Sequence, residues 1–335
     1  MTNICIIGAG ATGLILLLLL QEAKYDMSKV TIIDPHFDGG DLARKWTPVI
    51  SNTPWSKTIG ALQANCPSLA LPIGAYDSNS TAPLIELAHL LRRAAAPALA
   101  AAKQIQGKAV QSNYDTPSKA WSTTVETGGQ QIVVSSSHLI LAQGSEPRTL
   151  DIPIPSIPLE MALDEARLAH YTKAGEKAIV FGTMHSGTLV IRNLAALGVN
   201  VTAYYNTAAP FYWARDNVYD GIKAEAAEVA DKIVAGEIPV DLVPVKDTAK
   251  VIRGARAADW VVYAMGFMPR NIRMTVNGAE ISPTEYDGAT GMLTNAPAWG
   301  FGVAYPNRAP DGVHWDVSVA AFLNHAAQQL PRIIQ

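Results

Sequence analysis

Short apolar runs alternate along this chain with glycine turns and with longer stretches of helical period. Asn3 to Ile7 (NICII) has the composition of a buried β-strand and breaks at once into Gly8-Ala9-Gly10-Ala11-Thr12-Gly13. Leu14 to Ala23 then reads as a buried helix, and Val30 to Ile33 as a second strand closed by Asp34 and Pro35. The same order recurs: Lys177 to Phe181 predicts a strand, Gly182-Thr183-Met184-His185-Ser186-Gly187 a turn, Thr188 to Leu197 a helix and Asn200 to Tyr205 a strand. Two further strands end alike. Leu139 to Ala142 continues as Gln-Gly144-Ser-Glu-Pro147-Arg148, and Val261 to Ala264 as Met-Gly266-Phe-Met-Pro269-Arg270, so both read A-x-G-x-x-P-R. A duplicated opening paired with a duplicated closing predicts two domains of one type.

The remaining pattern fills in around this duplication. Ala120 to Thr127 and Gln130 to Val134, joined by Gly128-Gly129, predict a hairpin suited to a small appended sheet. Leu84 to Arg93 predicts a helix, and the alanine-rich Ala94 to Ala102 a further helix or the end of the same one. The proline-rich stretch Asp151 to Pro158 excludes helix and central strand and is the candidate linker. Roughly 65 residues follow Arg270, too few for a third domain of the ~100–150-residue kind. They carry a glycine-rich turn at Gly300-Phe-Gly302 and a predicted helix over Val317 to Leu330. The expected organisation is an α/β protein of two Rossmann-like domains, the first discontinuous: residues 1–152, a second domain over 153–270, and a return to the first over 271–335.

The first glycine turn has the context of a dinucleotide-binding site. Asp34 lies 21 residues after Gly13, close to the ~20 that separate glycine turn and acid in such folds. Gly8 would allow the tight turn, Gly10 the approach of a pyrophosphate, and Gly13 the close seating of helix on strand. N–H groups at Ala11 and Thr12 would hold phosphate oxygens, while Asp34 would accept from ribose hydroxyls and repel a 2′-phosphate. Pro35, Val110, Ala142 and Gly144 complete the candidate cofactor-binding set on this side. The alternative is a structural glycine turn with no ligand. In the second turn, Gly182, His185, Ser186 and Gly187 are the candidates, but Met184 stands where Gly10 stands in the first. The strand end Tyr204-Tyr205-Asn206-Thr207 carries neither a cation for a 2′-phosphate nor an acid for a ribose.

Composition narrows the function. The chain has 335 residues, 49% hydrophobic and only 16% charged, with a formal charge of −3 and no basic tract. That argues against a nucleic-acid partner, which requires clustered cations. The run Leu14 to Leu20 lacks a cationic leader and is far shorter than the ~20 residues of a spanning helix, so no membrane partner is expected. Two cysteines, Cys5 and Cys66, provide no CxxC pair and no disulfide framework, which fits a reducing, cytoplasmic setting. The seven histidines show no metal-ligand spacing, so no metal is expected.

On these residues the chain resembles the two-dinucleotide-binding flavoproteins, and among them the flavin-containing and N-hydroxylating monooxygenases. Gly8 to Gly13 (GAGATG) is similar to that group's FAD site, Phe181 to Gly187 (FGTMHSG) to its nicotinamide-dinucleotide site, and Ala264 to Arg270 (AMGFMPR) to its closing motif. Gly39 to Thr58 (GGDLARKWTPVISNTPWSKT) is similar to its glycine–tryptophan segment with the asparagine–threonine pair beside the flavin. The resemblance implies FAD, with NAD(P)H in question because of Met184. It places Asn52, beside Thr53, where the group has an asparagine contacting flavin and nicotinamide, and makes Asn52 the candidate catalytic residue. Trp46 and Trp55 would wall the ring or else belong to the core. Arg44 and Lys45 would reach FAD phosphates or flavin carbonyls, or else form a solvated loop pair, and Gly302 would lie near the flavin. His185 would touch a ligand or be merely exposed; Phe211 to Arg215 would line a cleft or pack under a loop. The Ala-Gly-Asp motif of the thioredoxin reductase branch is missing, and so is the CxxC pair its reaction needs.

The expected function is thus FAD-dependent oxidoreduction, in which reduced flavin activates oxygen for transfer to a small-molecule substrate. The alternatives are a nicotinamide-dependent flavin reductase or dehydrogenase without oxygen transfer, and a non-catalytic flavin-binding protein with a degenerate second site.

Overall fold

The computed structural model describes residues 3–71, 77, 79–213, 221–309, 312 and 314–335. In chain order, β1 (Ile4–Ile7), α1 (Ala11–Glu22), β2 (Val30–Asp34), α2 (Asp41–Arg44), α3 (Trp55–Asn65), α4 (Leu84–Ala101) and β3 (Lys103–Gln106) open the chain. β4 (Lys108–Asp115), β5 (Ala120–Thr127), β6 (Gln130–Ser136), β7 (His138–Leu141) and β8 (Ser145–Pro147) follow, then α5 (Leu159–Ala162) and α6 (Glu165–Leu168). β9 (Lys177–Phe181), α7 (His185–Ala196), β10 (Asn200–Tyr205), α8 (Glu225–Val234), β11 (Asp241–Pro244), α9 (Thr248–Ala257) and β12 (Trp260–Tyr263) come next. β13 (Phe267–Pro269), β14 (Arg273–Val276), β15 (Ala279–Ile281), β16 (Ala298–Gly300) and α10 (Val319–Ile333) lead to the end. These form two compact units, one of residues 1–47, 53–145 and 269–335, the other of residues 48–52 and 146–268.

The first unit is built on a parallel sheet ordered β16-β7-β1-β2-β3. Side-chain alternation along its strands sorts residues between two cores. Ile4, Ile6, Val30, Ile32 and Ile140 face the helices α1, α4 and α10. Cys5, Ile7, Ile33, Leu139 and Leu141 face the other way, onto Trp121, Val125, Val134 and Met274 of a second sheet ordered β15-β14-β4-β5-β6. α1 is apolar almost all round, and its residues from Thr12 to Leu20 are buried. A helix wedged between a sheet and two other helices has no wet face to keep polar.

The second unit repeats the centre of the first with four parallel strands ordered β11-β10-β9-β12. The equivalence extends to single hydrogen bonds. Gly8 N–H donates to the Ile33 carbonyl and Gly182 N–H to that of Tyr204, both at 2.8 Å. Ala142 N–H donates to Ile7 and Ala264 N–H to Phe181, again both at 2.8 Å.

Several elements differ from their sequence expectation. α1 and α7 begin three residues early, inside the glycine turns, because the last turn residues are already helical. Of the two readings of the alanine-rich stretch, the end of the same helix is the one observed: α4 runs unbroken through Pro97 to Ala101. The prolines of 151–158 do not mark the crossing between units, which falls at 145/146. This stretch lies extended along β12 instead, with Ile157 N–H donating to the Val261 carbonyl (2.9 Å) and Val261 N–H to that of Pro155 (3.0 Å). An edge segment needs only every other N–H, so it tolerates proline. Beyond Arg270, β14 joins β4, β16 joins β7 as a strand the sequence did not announce, and α10 packs in the α1 core.

Candidate functional site

The site in the first unit begins at the end of β1. Gly8 has φ +107°, and a Cβ there would stand 2.3 Å from the Ala142 carbonyl oxygen; one on Gly13 would stand 1.9 Å from that of Gly8. Both glycines are therefore required by the fold alone. Gly10 is different. It is the N-cap of α1 with ordinary extended dihedrals (φ −72°, ψ −168°), and the nearest neighbour of an added Cβ would be Gly40 Cα at 3.8 Å. Nothing in the chain demands glycine there, so the space before it is left for something else. No side chain caps α1, and the first-turn N–H groups around Ala11 and Thr12 suit an anion.

Asp34 ties the loops around this space together. One carboxylate oxygen accepts from Ala9 N–H (2.8 Å), the other from His36 (2.8 Å) and Phe37 (2.9 Å). The side chain is 6% exposed. Its acceptor capacity is thus partly spent on the chain itself, fixing the glycine turn against the segment that follows β2. Pro35 lies in that segment and accepts from Gln106 through its carbonyl (3.2 Å). Val110 sits at a bulge in β4 between the paired residues Ala109 and Gln111.

Cations and carboxylates line the next stretch. Gly39 bridges Gly10, and a Cβ on Gly40 would stand 2.8 Å from Gly10 Cα. Arg44, from the short α2, lies 3.4 Å from Asp38 and 3.6 Å from Asp41. Its buried Nε makes no hydrogen bond despite the Asp38 contact, whose alignment is wrong for one. Burial lowers the basicity of Arg44, Asp34 restores part of it and Arg270 opposes that; an arginine nonetheless stays charged. Arg270 pairs with Asp41, and Gln143 donates to the Arg270 carbonyl. A tight glycine cradle, free helix N–H groups and a cation with an unused buried donor fit the pyrophosphate of a dinucleotide cofactor.

Lys45 and Trp46 continue from α2, their N–H groups both turned back to the Asp41 carbonyl. Ala142 and Gly144 (φ +72°) end β7 beside this cluster, with the Arg270 guanidinium 3.5 Å from where a Gly144 Cβ would be. Gly302 (φ +88°) brings its turn against α1, since its Cβ would stand 2.3 Å from Thr12 Oγ1. Trp55 is core: it is 6% exposed and packs with Ile59 and Leu62. Asn52 closes the short stretch 48–52 that groups with the second unit, and Thr53 resumes the first.

In the second unit Gly182 and Gly187 repeat the fold-required geometry, with Cβ positions 2.2 Å from the Ala264 oxygen and 2.0 Å from the Gly182 oxygen. Met184 is the N-cap of α7, and His185 and Ser186 form its first turn. His185 Nε2 accepts from Lys223 N–H at 3.3 Å. Burial, and then the Lys223 charge, push the imidazole below its usual pKa. Of the aromatic stretch, Phe211 is buried and Tyr212 and Trp213 are exposed, whereas Ala214, Arg215 and Asp216 lie outside the described residues. A recess of about 130 Å³ at the end of β10 is bordered by Tyr205, Asn206, Thr207 and Lys246. Sequence reading missed Lys246 because it arrives from the neighbouring β11. It also did not single out Gly40, Asp41, Gln143 and Arg270 as site residues, although Gln143 and Arg270 lie in the duplicated strand endings and Gly40 in the Gly39-Gly40 pair.

No family model matches the chain. Its sequence is 23% identical to the monooxygenase AgnR1 of Paecilomyces divaricatus over 381 residues, covering 98% of this chain and 96% of that protein. Among solved structures it is similar to the bacillithiol disulfide reductase Bdr of Bacillus cereus (TM-score 0.65, 13% identity, 99% and 98% of the two chains). It is also similar to OTEMO, solved in complex with FAD and NADP (TM-score 0.60, 17% identity, 99% and 85%). With one glycine-turn βαβ unit in each half and the first half closed by its own C-terminal strand, the chain has the fold of the two-dinucleotide-binding flavoproteins.

Proposed function

We propose that this chain is an FAD-dependent oxidoreductase that, once reduced by an external two-electron donor, transfers one atom of dioxygen to a small-molecule substrate and releases the other as water, in the manner of a flavin monooxygenase. The observation that carries the cofactor is Gly10, a glycine the fold does not need, facing Gly40 beneath an uncapped helix N-terminus. Gly8, Gly13 and Asp34 would hold the turn, Ala11 and Thr12 N–H groups the phosphates, and Arg44 would supply the balancing charge. Thr12, fixed under Gly302, and the Ala142–Gly144 strand end would limit where the rest of the cofactor lies. Bound FAD would supply two-electron redox chemistry and, when reduced, reactivity toward dioxygen. Asn52 remains the candidate to hydrogen-bond the flavin ring or a nicotinamide amide.

Two observations favour oxygen transfer over the disulfide reduction named for Bdr. The near-full-length sequence similarity is to a monooxygenase. Thiol–disulfide exchange requires an accessible thiolate, and both cysteines are buried. Burial pushes the thiol of Cys5 up to about 12 and that of Cys66 up to about 11, so each stays protonated.

The test is to photoreduce the purified protein anaerobically and admit ¹⁸O₂ in the presence of a panel of ketones, thioethers and amines. One ¹⁸O atom in a product supports the proposal. Recovery of all the oxygen as hydrogen peroxide across the panel contradicts it and favours a flavin reductase.

A further inference from the structure

The two glycine turns present their N-cap residues alike, Gly10 at φ −72°, ψ −168° and Met184 at φ −83°, ψ −165°. Where the first turn leaves open space, the second directs a thioether side chain along the same vector. The connection that follows β10 is also fastened to this helix end. The Thr183 hydroxyl, 3% exposed, donates to the Pro210 carbonyl, and His185 accepts from Lys223 N–H. About two helical turns further on, Arg192 pairs with Glu225 at 2.6 Å. Between these anchors Ile222 N–H donates to the Tyr212 carbonyl at 2.6 Å, and Phe211 and Ile222 are buried at 3% and 1% exposure.

We propose that the second unit's glycine turn is sealed by its own chain, through Met184 and the anchored segments 210–213 and 221–225, and does not take the pyrophosphate of NADH or NADPH. A dinucleotide needs its phosphates within hydrogen-bond reach of the first helical turn. Met184 stands at that approach, where Gly10 stands in the first turn, and its thioether offers neither a donor nor a charge. His185 already accepts from Lys223 N–H through Nε2, and burial lowers its pKa, which disfavours the cation a pyrophosphate would call for. Lys246 borders the recess at the end of β10, where it could meet a ribose phosphate, but it does not clear the path to the turn. The chemistry implied by the fold at this position and the residues present do not agree.

The experiment titrates NADH and NADPH separately against the purified protein, followed by nicotinamide fluorescence and equilibrium dialysis. Met184→Glu is measured in parallel. An acid at a helix N-terminus is favourable for the fold, yet it would repel a pyrophosphate. The expected result is no saturable binding up to roughly 1 mM. Binding that is the same within threefold in both proteins also supports the seal, because it places the ligand away from the turn. Binding that Met184→Glu weakens by more than threefold overturns it. Flavin absorbance read on the same samples reports separately on the FAD reading, which fails if the protein stays colourless after reconstitution with excess FAD, whatever the nicotinamide result.

Discussion

Glycine positions separate requirements of the fold from those of a ligand. A Cβ at Gly13 would collide with the rigid Gly8 backbone at 1.9 Å, whereas one at Gly10 would meet nothing nearer than 3.8 Å. Gly13→Ala should therefore lower the melting temperature steeply or prevent folding. Gly10→Val should fold, with a loss of about 1 kcal/mol for a poorer N-cap, and should purify without flavin. Equal flavin content in Gly10→Val and the unmodified protein would place the cofactor elsewhere. The spacing of these glycines was legible in the sequence, but their division of labour was not, since it depends on Ala142 and Gly40 arriving from distant segments.

Another residue-scale expectation concerns pH. His325 on α10 is 4% exposed, packed edge-on to Phe301, with Nε2 3.2 Å from the Ala289 carbonyl. Burial lowers its pKa, outweighing the opposing pull of that carbonyl and of Asp287; Gly291 closes the remaining side. His138 and His185 are shifted in the same direction, also by burial. A depressed histidine pKa means that the unfolded chain takes up the proton first. Stability is then full above about pH 6.5, the ordinary histidine value, and declines as pH falls below it. Melting temperatures should drop between pH 7.5 and 5, and His325→Gln, which cannot titrate, should reduce the slope. A flat or rising profile on acidification would contradict this.

At the scale of elements, strands and the central helices were readable because their apolar periods are long and their turns are marked by glycine. The misreadings have local causes. β16 is three residues, Ala298-Trp299-Gly300, too short to show alternation, and only pairing with β7 makes it a strand. The proline stretch became an edge segment because the neighbouring β12 offered hydrogen-bond partners that the sequence does not display. α10 is the element through which the chain end enters the first core, with Leu323 1% exposed among α1 and α3 residues. Leu323→Ala should cost about 2–5 kcal/mol, measured by denaturant unfolding. A cost below about 0.5 kcal/mol, typical of surface positions, would show that the chain end is not part of that core.

Over the whole molecule, the duplicated turn and the duplicated A-x-G-x-x-P-R ending were the most informative features of the sequence, and the parallel sheets repeat each other down to equivalent hydrogen bonds. What duplication could not convey is divergence. The first copy keeps its cradle open, and the second has Met184 at the same point. The charge cluster of Asp38, Asp41, Arg44 and Arg270 was equally hidden, because Arg270 lies more than 200 residues from its partner Asp41 and meets it only in the folded first unit. The proposed chemistry requires the first copy to hold an adenine-dinucleotide flavin. Heat or acid release of the bound chromophore from purified protein, followed by chromatography against standards, tests this most directly. The result expected is FAD at close to one equivalent per chain; FMN, or no flavin after reconstitution with excess FAD, would contradict it.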